Sequence, residues 1–326
     1  MNTEQETGEK PNISIKNLDI TYNYENDSEE VKAARDINLD IKNGEIVSLV
    51  GESGSGKSTI GSSILNLLPK DTLTRGKIQL DGKNLLELPE NDIREIRGKD
   101  ISKIFQDPMG RLNPLMTVEQ HFIELLNEHT DFGKEKAIEK SIDALNDVGI
   151  PPNRFEDYPH EFSGGMRQRI MIALALVLNP RILIADEATT SLDVVVQSQI
   201  LNLLRDVTEK YNTSILNITH NLGVVAEISD RVVVLYGGKV VEKGSAEEIF
   251  HKPKHPYTKG LINSVIGLDT EELEWVEGTP PDLVNPPSGC PFHPRCPQVM
   301  EKCKKQFPEQ TGFNDSHKTW CHLYES

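Results

Sequence analysis

The chain has 326 residues, 37% of them hydrophobic and 26% charged, which gives room for one large domain or two smaller ones around a sizeable core. Its formal net charge of -16 argues against a broad nucleic-acid-binding surface. The longest apolar run, Ile170 to Leu178, is shorter than the about 20 residues needed to cross a bilayer, and the polar stretch Met1 to Lys10 does not read as a secretory signal, so any membrane role is expected to work through a partner.

In chain order, residues 1–12 are expected to be disordered. Ile13 to Tyr22 spaces its apolar positions roughly as a half-buried strand does, Glu25 to Glu30 reads as an exposed acidic hairpin loop, and Val31 to Ile41 returns as strand before the Asn43-Gly44 turn. Glu45 to Val50 is a short buried strand, Thr59 to Leu68 a helix stopped by Pro69, and Lys77 to Leu80 another strand. The period then becomes helical: Val118, Phe122, Leu125 and Leu126 share one face, and Ile138, Ile142, Leu145 and Val148 share another, predicting a helical subdomain over about 107–178. Arg181 to Asp186, Ser214 to Ile218 and Arg231 to Tyr236 are apolar strands. This order predicts an α/β fold with a mainly parallel sheet covered by helices. Beyond Phe250 prolines become frequent, which marks a boundary between a main domain over 13–250 and a small Cys-bearing extension over 251–326.

Gly51-Glu52-Ser53-Gly54-Ser55-Gly56-Lys57-Ser58 lies between a strand and a helix and fits the phosphate-binding loop pattern. Its glycines let successive backbone N–H groups surround phosphate oxygens, and the following helix, beginning near Thr59, points its positive end at the same place. Lys57 would reach the β- and γ-phosphates of a nucleotide, and the Ser58 hydroxyl would take a position on Mg²⁺. The apolar strand Ile182 to Glu187 ends in two carboxylates. Asp186 would hold Mg²⁺, often through water, and Glu187 would orient the attacking water. A solvated pair of acids at a strand end is the alternative reading of those two residues alone.

Phe162-Ser163-Gly164-Gly165-Met166-Arg167-Gln168-Arg169 opens the apolar helix just before that strand. It resembles the Leu-Ser-Gly-Gly-Gln signature of the ATP-binding cassette (ABC) ATPases, with Phe162 in place of Leu and Met166 in place of Gln. The resemblance implies that Ser163, Gly164 and Gly165 cover the γ-phosphate of ATP held by an opposing subunit, so that ATP joins two nucleotide domains. It further implies that Gln106 contacts Mg²⁺ and water, that the loop Ser191-Leu192-Asp193 touches the opposing subunit, that His220 contacts the γ-phosphate, and that Tyr22 stacks on adenine, with Tyr24 as its rival. Ala188 stands where that family commonly has proline. A P-loop ABC ATPase of this kind has an antiparallel β subdomain at its N-terminus and a helical subdomain beside the parallel sheet.

Three further stretches narrow the resemblance. Gln106-Asp107-Pro108-Met109 with Leu112-Asn113-Pro114, His255-Pro256-Tyr257-Thr258, and Asn285-Pro286-Pro287-Ser288-Gly289-Cys290 with Arg295-Cys296-Pro297 look like the oligopeptide/dipeptide branch of the peptide/nickel importer ATPases, the D-type subunit in particular. Gly110-Arg111 replaces two small hydroxyl residues of that pattern. The implied function is ATP hydrolysis that powers peptide uptake from the cytoplasmic face of the membrane. The implied partners are a second, homologous ATPase, two transmembrane permease subunits and, indirectly, an extracellular peptide-binding protein. A nickel-complex importer, or a soluble ABC ATPase of iron–sulfur assembly or nucleic-acid maintenance, remains the alternative.

The four cysteines follow the spacing Cys290-x5-Cys296-x6-Cys303-x17-Cys321. In a reducing compartment clustered thiols read as metal ligands rather than disulfides. Four thiolates can hold a tetrahedral Zn²⁺ or a [4Fe–4S] cluster. The resembled branch carries iron–sulfur at these positions, and unliganded buried thiols are the third reading. His293, His317 and His322 could substitute as ligands. No cysteine lies in a nucleotide motif, so ATP binding is expected to survive replacement of a cysteine.

Overall fold

The computed structural model describes residues 11–23, 29–105, 110–189, 193–264 and 276–325. Strand β1 (Ile13–Asn23) pairs antiparallel with β2 (Glu30–Ile41), burying Ile13, Ile15, Leu18 and Ile20 against Ile37, Leu39 and Ile41. Register shifts along β1 break the simple alternation expected of it. The chain then enters β3 (Ile46–Val50), whose five residues are all buried, and reaches α1 (Lys57–Ile64). This helix ends before the predicted stop at Pro69, because the chain turns at Asn66, whose φ of 51° lies in the left-handed region. Strand β4 (Thr72–Leu80) starts earlier than predicted; its first residues are largely exposed and include a single apolar side chain, Leu73, so no apolar alternation announces them. With β5 (Lys83–Asn84) it completes a four-stranded antiparallel sheet in the order β2-β1-β4-β5.

After α2 (Glu90–Ile96) and β6 (Ile101–Ile104) comes a helical block of α3 (Val118–His129), α4 (Lys134–Asp147) and α5 (Gly164–Leu176). Helix α3 starts at a capping box, in which Thr117 accepts the Gln120 N–H and Gln120 accepts the Thr117 N–H. The buried residues of α4 are Ala137, Ser141, Ala144 and Leu145, and Ile138 and Ile142, expected on one face with Leu145, are partly buried against the same core. Small side chains let the helix lie close to its neighbours, with the Ser141 hydroxyl satisfied by the Ala137 carbonyl at 2.6 Å.

The remaining strands are β7 (Ile182–Asp186), β8 (Ser214–Ile218), β9 (Arg231–Tyr236) and β10 (Lys239–Ser245), with α6 (Val194–Tyr211) and α7 (Leu222–Ile228) between the first three. Strands β6, β7, β8, β3 and β9 run parallel in that spatial order, and β10 turns back antiparallel to β9. Strands β3, β7 and β8 are buried at every position, as apolar strands covered on both faces must be.

The last segment contains α8 (Ala246–His251), α9 (Pro256–Asn263), α10 (Glu301–Lys305) and the short hairpin β11 (Gln310–Gly312) and β12 (Lys318–Trp320). Strand β12 pairs with β10, so the hairpin lengthens the central sheet to eight strands. Tyr257, Cys290, Phe292 and Cys303 share a core cluster with Val50, Val232, Val234 and Tyr236. The extension therefore borrows the sheet for its apolar contacts instead of building a core of its own. At the other terminus, residues 1–10 lie outside the described residues. Asn12, expected in the disordered tail, is buried and donates from Nδ2 to the Arg181 carbonyl at 3.1 Å and the Ser214 hydroxyl at 3.0 Å.

Candidate functional site: a phosphate loop at the ends of parallel strands

The loop Gly51–Ser58 leaves the C-terminal end of β3, where crevices of open parallel sheets form. At Gly56, with φ of 98°, a Cβ would lie 2.2 Å from the Ala33 carbonyl oxygen, so only glycine permits this approach of the loop to β2. Lys57 is buried, and its Nζ donates to the carbonyls of Gly51 at 2.8 Å and Glu52 at 2.9 Å. Burial lowers the Lys57 pKa from its ordinary value, against the opposing influence of Glu187, Asp186 and Glu52. Ser55 is buried within the loop, whereas Ser53, Gly54 and Ser58 are exposed on it. The Tyr22 hydroxyl donates to Thr59 Oγ1 at 3.1 Å, which fixes this ring beside the start of α1.

Strand β7 brings its carboxylates to the same place. The Ser58 hydroxyl donates to Asp186 Oδ1 at 2.8 Å, so the two oxygen groups expected around Mg²⁺ meet. Oxygen donors of this kind suit a hard divalent cation. The other Asp186 oxygen is held by Lys103 Nζ at 2.9 Å, a nearly buried pair in which Lys103 also donates to Ser62 Oγ at 3.1 Å. Sequence reasoning passed over Lys103; a lysine within the short apolar strand β6 was the available signal. Glu187 has φ of 51°, in a region costing a non-glycine residue on the order of 1 kcal/mol. Its N–H is anchored on the Ile218 carbonyl at 2.8 Å, and its Oε1 lies 3.1 Å from His220 Nδ1. Glu187 and His220, 33 positions apart in sequence, are thus brought together by the pairing of β7 with β8.

Ser163 and Gly164 lie exposed at the start of α5. The Ser163 hydroxyl caps that helix by accepting the Met166 N–H at 3.3 Å, and Asp193 caps α6 by accepting the Val196 N–H at 3.0 Å. A Cβ on Gly165 would lie 2.7 Å from Val196, so glycine is what lets the two helix starts touch. Phe162, standing where leucine is usual, is buried beneath the Arg154 guanidinium. Arg111 stacks over the Phe105 ring at 4.4 Å. Ala188 is buried, and nothing in the structure explains it in place of proline. Gln106, Ser191, Leu192 and Tyr24 lie outside the described residues.

A second group of contacts reaches the loop from the far end of the chain. The Glu52 N–H donates to the Tyr257 hydroxyl at 3.0 Å, and Arg295 Nη1 binds Glu52 Oε2 at 2.8 Å. Neither residue was singled out from sequence for this role, since no spacing rule relates positions more than 200 residues apart.

Cys290, Cys296, Cys303 and Cys321 are free thiols that line one small cavity with His255, Phe292 and His322. Burial pushes the Cys290 thiol up to about 12 and Cys321 up to about 11, with the neighbouring thiols adding to the rise. Four thiols on one cavity are a suitable donor set for zinc or an iron–sulfur centre, yet among the described residues no group of three or more His, Cys, Asp or Glu is set to hold a metal ion. The histidines are occupied elsewhere: His317 Nε2 is 2.8 Å from Glu242, while His322 contacts Glu325 and the Gln306 carbonyl through its two nitrogens.

A glycine-rich loop between β3 and α1, carboxylates at the end of the neighbouring strand β7, and a serine-capped helix start define a P-loop ATPase of the ABC class. Residues 34–190 match the family model described as ABC transporter, and residues 241–303 match the one described as the oligopeptide/dipeptide transporter C-terminal region. The chain is 47% identical to the dipeptide transport ATP-binding protein DppD of Bacillus subtilis, over 96% of this chain and 95% of that protein. It is 44% identical to the oligopeptide transport ATP-binding protein OppD of Salmonella typhimurium, over 94% and 92% respectively. The chain belongs to the family of ATP-binding subunits of oligopeptide/dipeptide ABC transporters, and it is an ABC-type ATPase. Among solved structures it resembles the dimeric ATP-binding cassette MJ0796 bound to ADP and phosphate (TM-score 0.63, 29% identity, 72% of this chain and 98% of that one). It also resembles cbiO1 of Clostridium perfringens, part of the transporter complex cbiONQ (TM-score 0.64, 28% identity, 75% and 92%). Family membership implies membrane-embedded permease partners and pairing with a second ATPase. Among the described residues no helix is long and apolar enough to cross a membrane.

Proposed function

We propose that the chain powers import of oligopeptides or dipeptides, acting peripherally at the cytoplasmic face of the membrane. Its partners would be two permease subunits, a second ATPase that is a homologue of this one, and an extracellular peptide-binding protein that delivers the solute. The observation that carries the reading is the meeting of Ser58 with Asp186, with Glu187 next in the chain and aimed at His220. Backbone N–H groups of residues 51–59 other than Glu52 would cradle the phosphates, Glu52 holding the loop in place, and Lys57 would neutralise the β- and γ-phosphates. Tyr22 would stack on adenine. Ser58, Asp186 and Gln106 would hold Mg²⁺, which when bound supplies positive charge against the phosphate oxygens. Glu187 would orient water, and His220, already beside it, would contact the γ-phosphate. Ser163, Gly164, Gly165 and Asp193 would face the partner ATPase, a role supported by the exposure of Ser163, Gly164 and Asp193.

We further propose that Cys290, Cys296, Cys303 and Cys321 hold a [4Fe–4S] cluster, with zinc as the alternative occupant. Their convergence on one cavity supports this reading, and binding would draw the four sulfurs closer around the metal. The test of the transport reading is reconstitution of the assembled complex in vesicles with its binding protein. Peptide should accumulate only with ATP, and ATPase activity should rise with peptide. Uptake of a nickel chelate but not of peptide would replace the solute. Purification without any membrane subunit, with full ATPase activity, would remove the transport function.

A further inference from the structure

Arg295 lies in a one-turn helix, His293–Arg295, immediately before Cys296, yet its guanidinium reaches the phosphate loop. Its side chain is 7% exposed. Nη1 serves both Glu52 Oε2 at 2.8 Å and the Tyr236 hydroxyl at 3.1 Å. Nε donates to the Glu277 carbonyl and Nη2 to the Val276 carbonyl, both at 2.7 Å. A planar fork satisfied on all sides in this way cannot rotate without losing several bonds at once.

Glu52 is held as fully. Its carbonyl accepts from Lys57, its N–H donates to the fully buried Tyr257 hydroxyl, and its carboxylate takes Arg295. The groups on the extension side are themselves locked. The Tyr257 ring packs against Tyr236 with centroids 4.5 Å apart, and Phe292 closes on both at 5.4 and 5.1 Å. Position 52 thus fixes the loop just before the glycines and amides that would face the phosphates.

We propose that Arg295, acting with Tyr257, is a positioning residue of the nucleotide site: it sets the phosphate loop through Glu52, so that the Cys-bearing extension conditions ATP affinity. The inference rests on reading residues 51–58 as the phosphate loop. It predicts a change in binding with little change in the chemical step, because Arg295 touches neither water nor γ-phosphate in that reading.

The test uses the full chain in its assembled transporter and compares Arg295→Gln, Arg295→Lys, Glu52→Gln, the double variant Glu52→Gln/Arg295→Gln, and Lys57→Ala. Arg295→Gln should raise the KM for ATP about tenfold, the loss expected on removing one charged partner of a desolvated hydrogen bond, and leave kcat within about twofold. Arg295→Lys should recover part of the loss, since it restores charge without the fork. The double variant should be no worse than Arg295→Gln alone, because both changes break one contact. An unchanged KM in a folded Arg295→Gln protein would overturn the proposal. So would additive losses in the double variant, or a fall in kcat matched by a lowered melting temperature with KM unaltered. If Lys57→Ala loses ATP binding while Arg295→Gln does not, only this inference fails. If Lys57→Ala binds ATP normally, the phosphate-loop reading fails with it.

Discussion

Asp186 and Glu187 sit at and just beyond the end of a strand buried at every position, and Lys57 opens the helix that follows another, whereas Cys290, Arg295 and Cys296 sit on turns between prolines. In the nucleotide half a rigid strand end delivers each polar group to the crevice, and the local sequence suffices to place it. Among the described residues of the extension no element that holds a cysteine is longer than the five residues of α10, and rigidity comes from contacts with the other half: β12 on β10, Phe292 on Tyr236, and Arg295 on Glu52. The difference assigns different consequences to damage. Changes at the strand ends should strike turnover or phosphate binding directly, while changes in the extension should reach the nucleotide only through the loop it braces.

The largest effect should follow Glu187→Gln. Removing the water-orienting carboxylate at constant size should lower ATP turnover about a hundredfold or more while nucleotide stays bound, holding the two ATPases together. Unchanged steady-state hydrolysis in the assembled transporter would remove Glu187 from its role. Lys57→Ala should instead weaken ATP binding, between roughly tenfold and a hundredfold, because a charged donor to the phosphates is deleted. Nucleotide titration of the two variants side by side separates a group acting on water from one acting on phosphate.

The strand ends were legible because apolar runs as short as Ile182 to Ala185 suit buried strands of a covered sheet better than helices, and the acids follow in the next positions. The loop was legible from its glycine and lysine spacing. Where local chemistry and packing part company, the reading was incomplete. Helix α4 buries Ala137 and Ala144 along with Leu145, and Ile138 and Ile142 lie partly buried against the same core, since close helix approach counts there beside side-chain size. Strands β11 and β12 are three residues each and mostly not buried, so they carry no periodic signal. The contacts of Tyr257 and Arg295 with Glu52 depend wholly on tertiary folding, and they are the route by which the extension is proposed to act on the loop.

Cys296→Ser tests how far damage in the extension reaches the loop. If the cysteines hold a [4Fe–4S] centre, anaerobically purified protein should be brown, with iron and acid-labile sulfide near about four each per chain, and the variant should be colourless. Loss of the cluster should loosen residues 285–322 and raise the KM for ATP, by less than Arg295→Gln does, because Arg295 itself remains. Zinc without iron would replace the cluster but keep the structural site. Absence of both metals after anaerobic preparation would remove it, and a colourless variant with unaltered KM would confine the metal to the extension.

The smallest effect concerns pH and the start of α9. His255 is buried, its Nδ1 accepts the Tyr257 N–H at 3.1 Å, and burial pulls its pKa from 6.5 down to about 3. The ring is therefore neutral in the folded chain, and a proton on Nδ1 would set a donor against a donor. Between pH of about 6.5 and 3 the unfolded chain takes up a proton that the folded chain refuses. This contribution to stability is complete above the unfolded pKa and is lost as pH falls toward the folded one. The slope it adds is on the order of one kcal/mol per pH unit. His255→Asn keeps an oxygen that can cap the helix and removes the titration. Its melting temperature should fall less steeply than that of the unmodified chain from pH 7 to pH 5, and its KM for ATP should drift less, since Tyr257 would stay in place under Glu52. Parallel pH profiles for the two proteins would show that His255 does not carry this dependence, and that acid reaches the loop by another route.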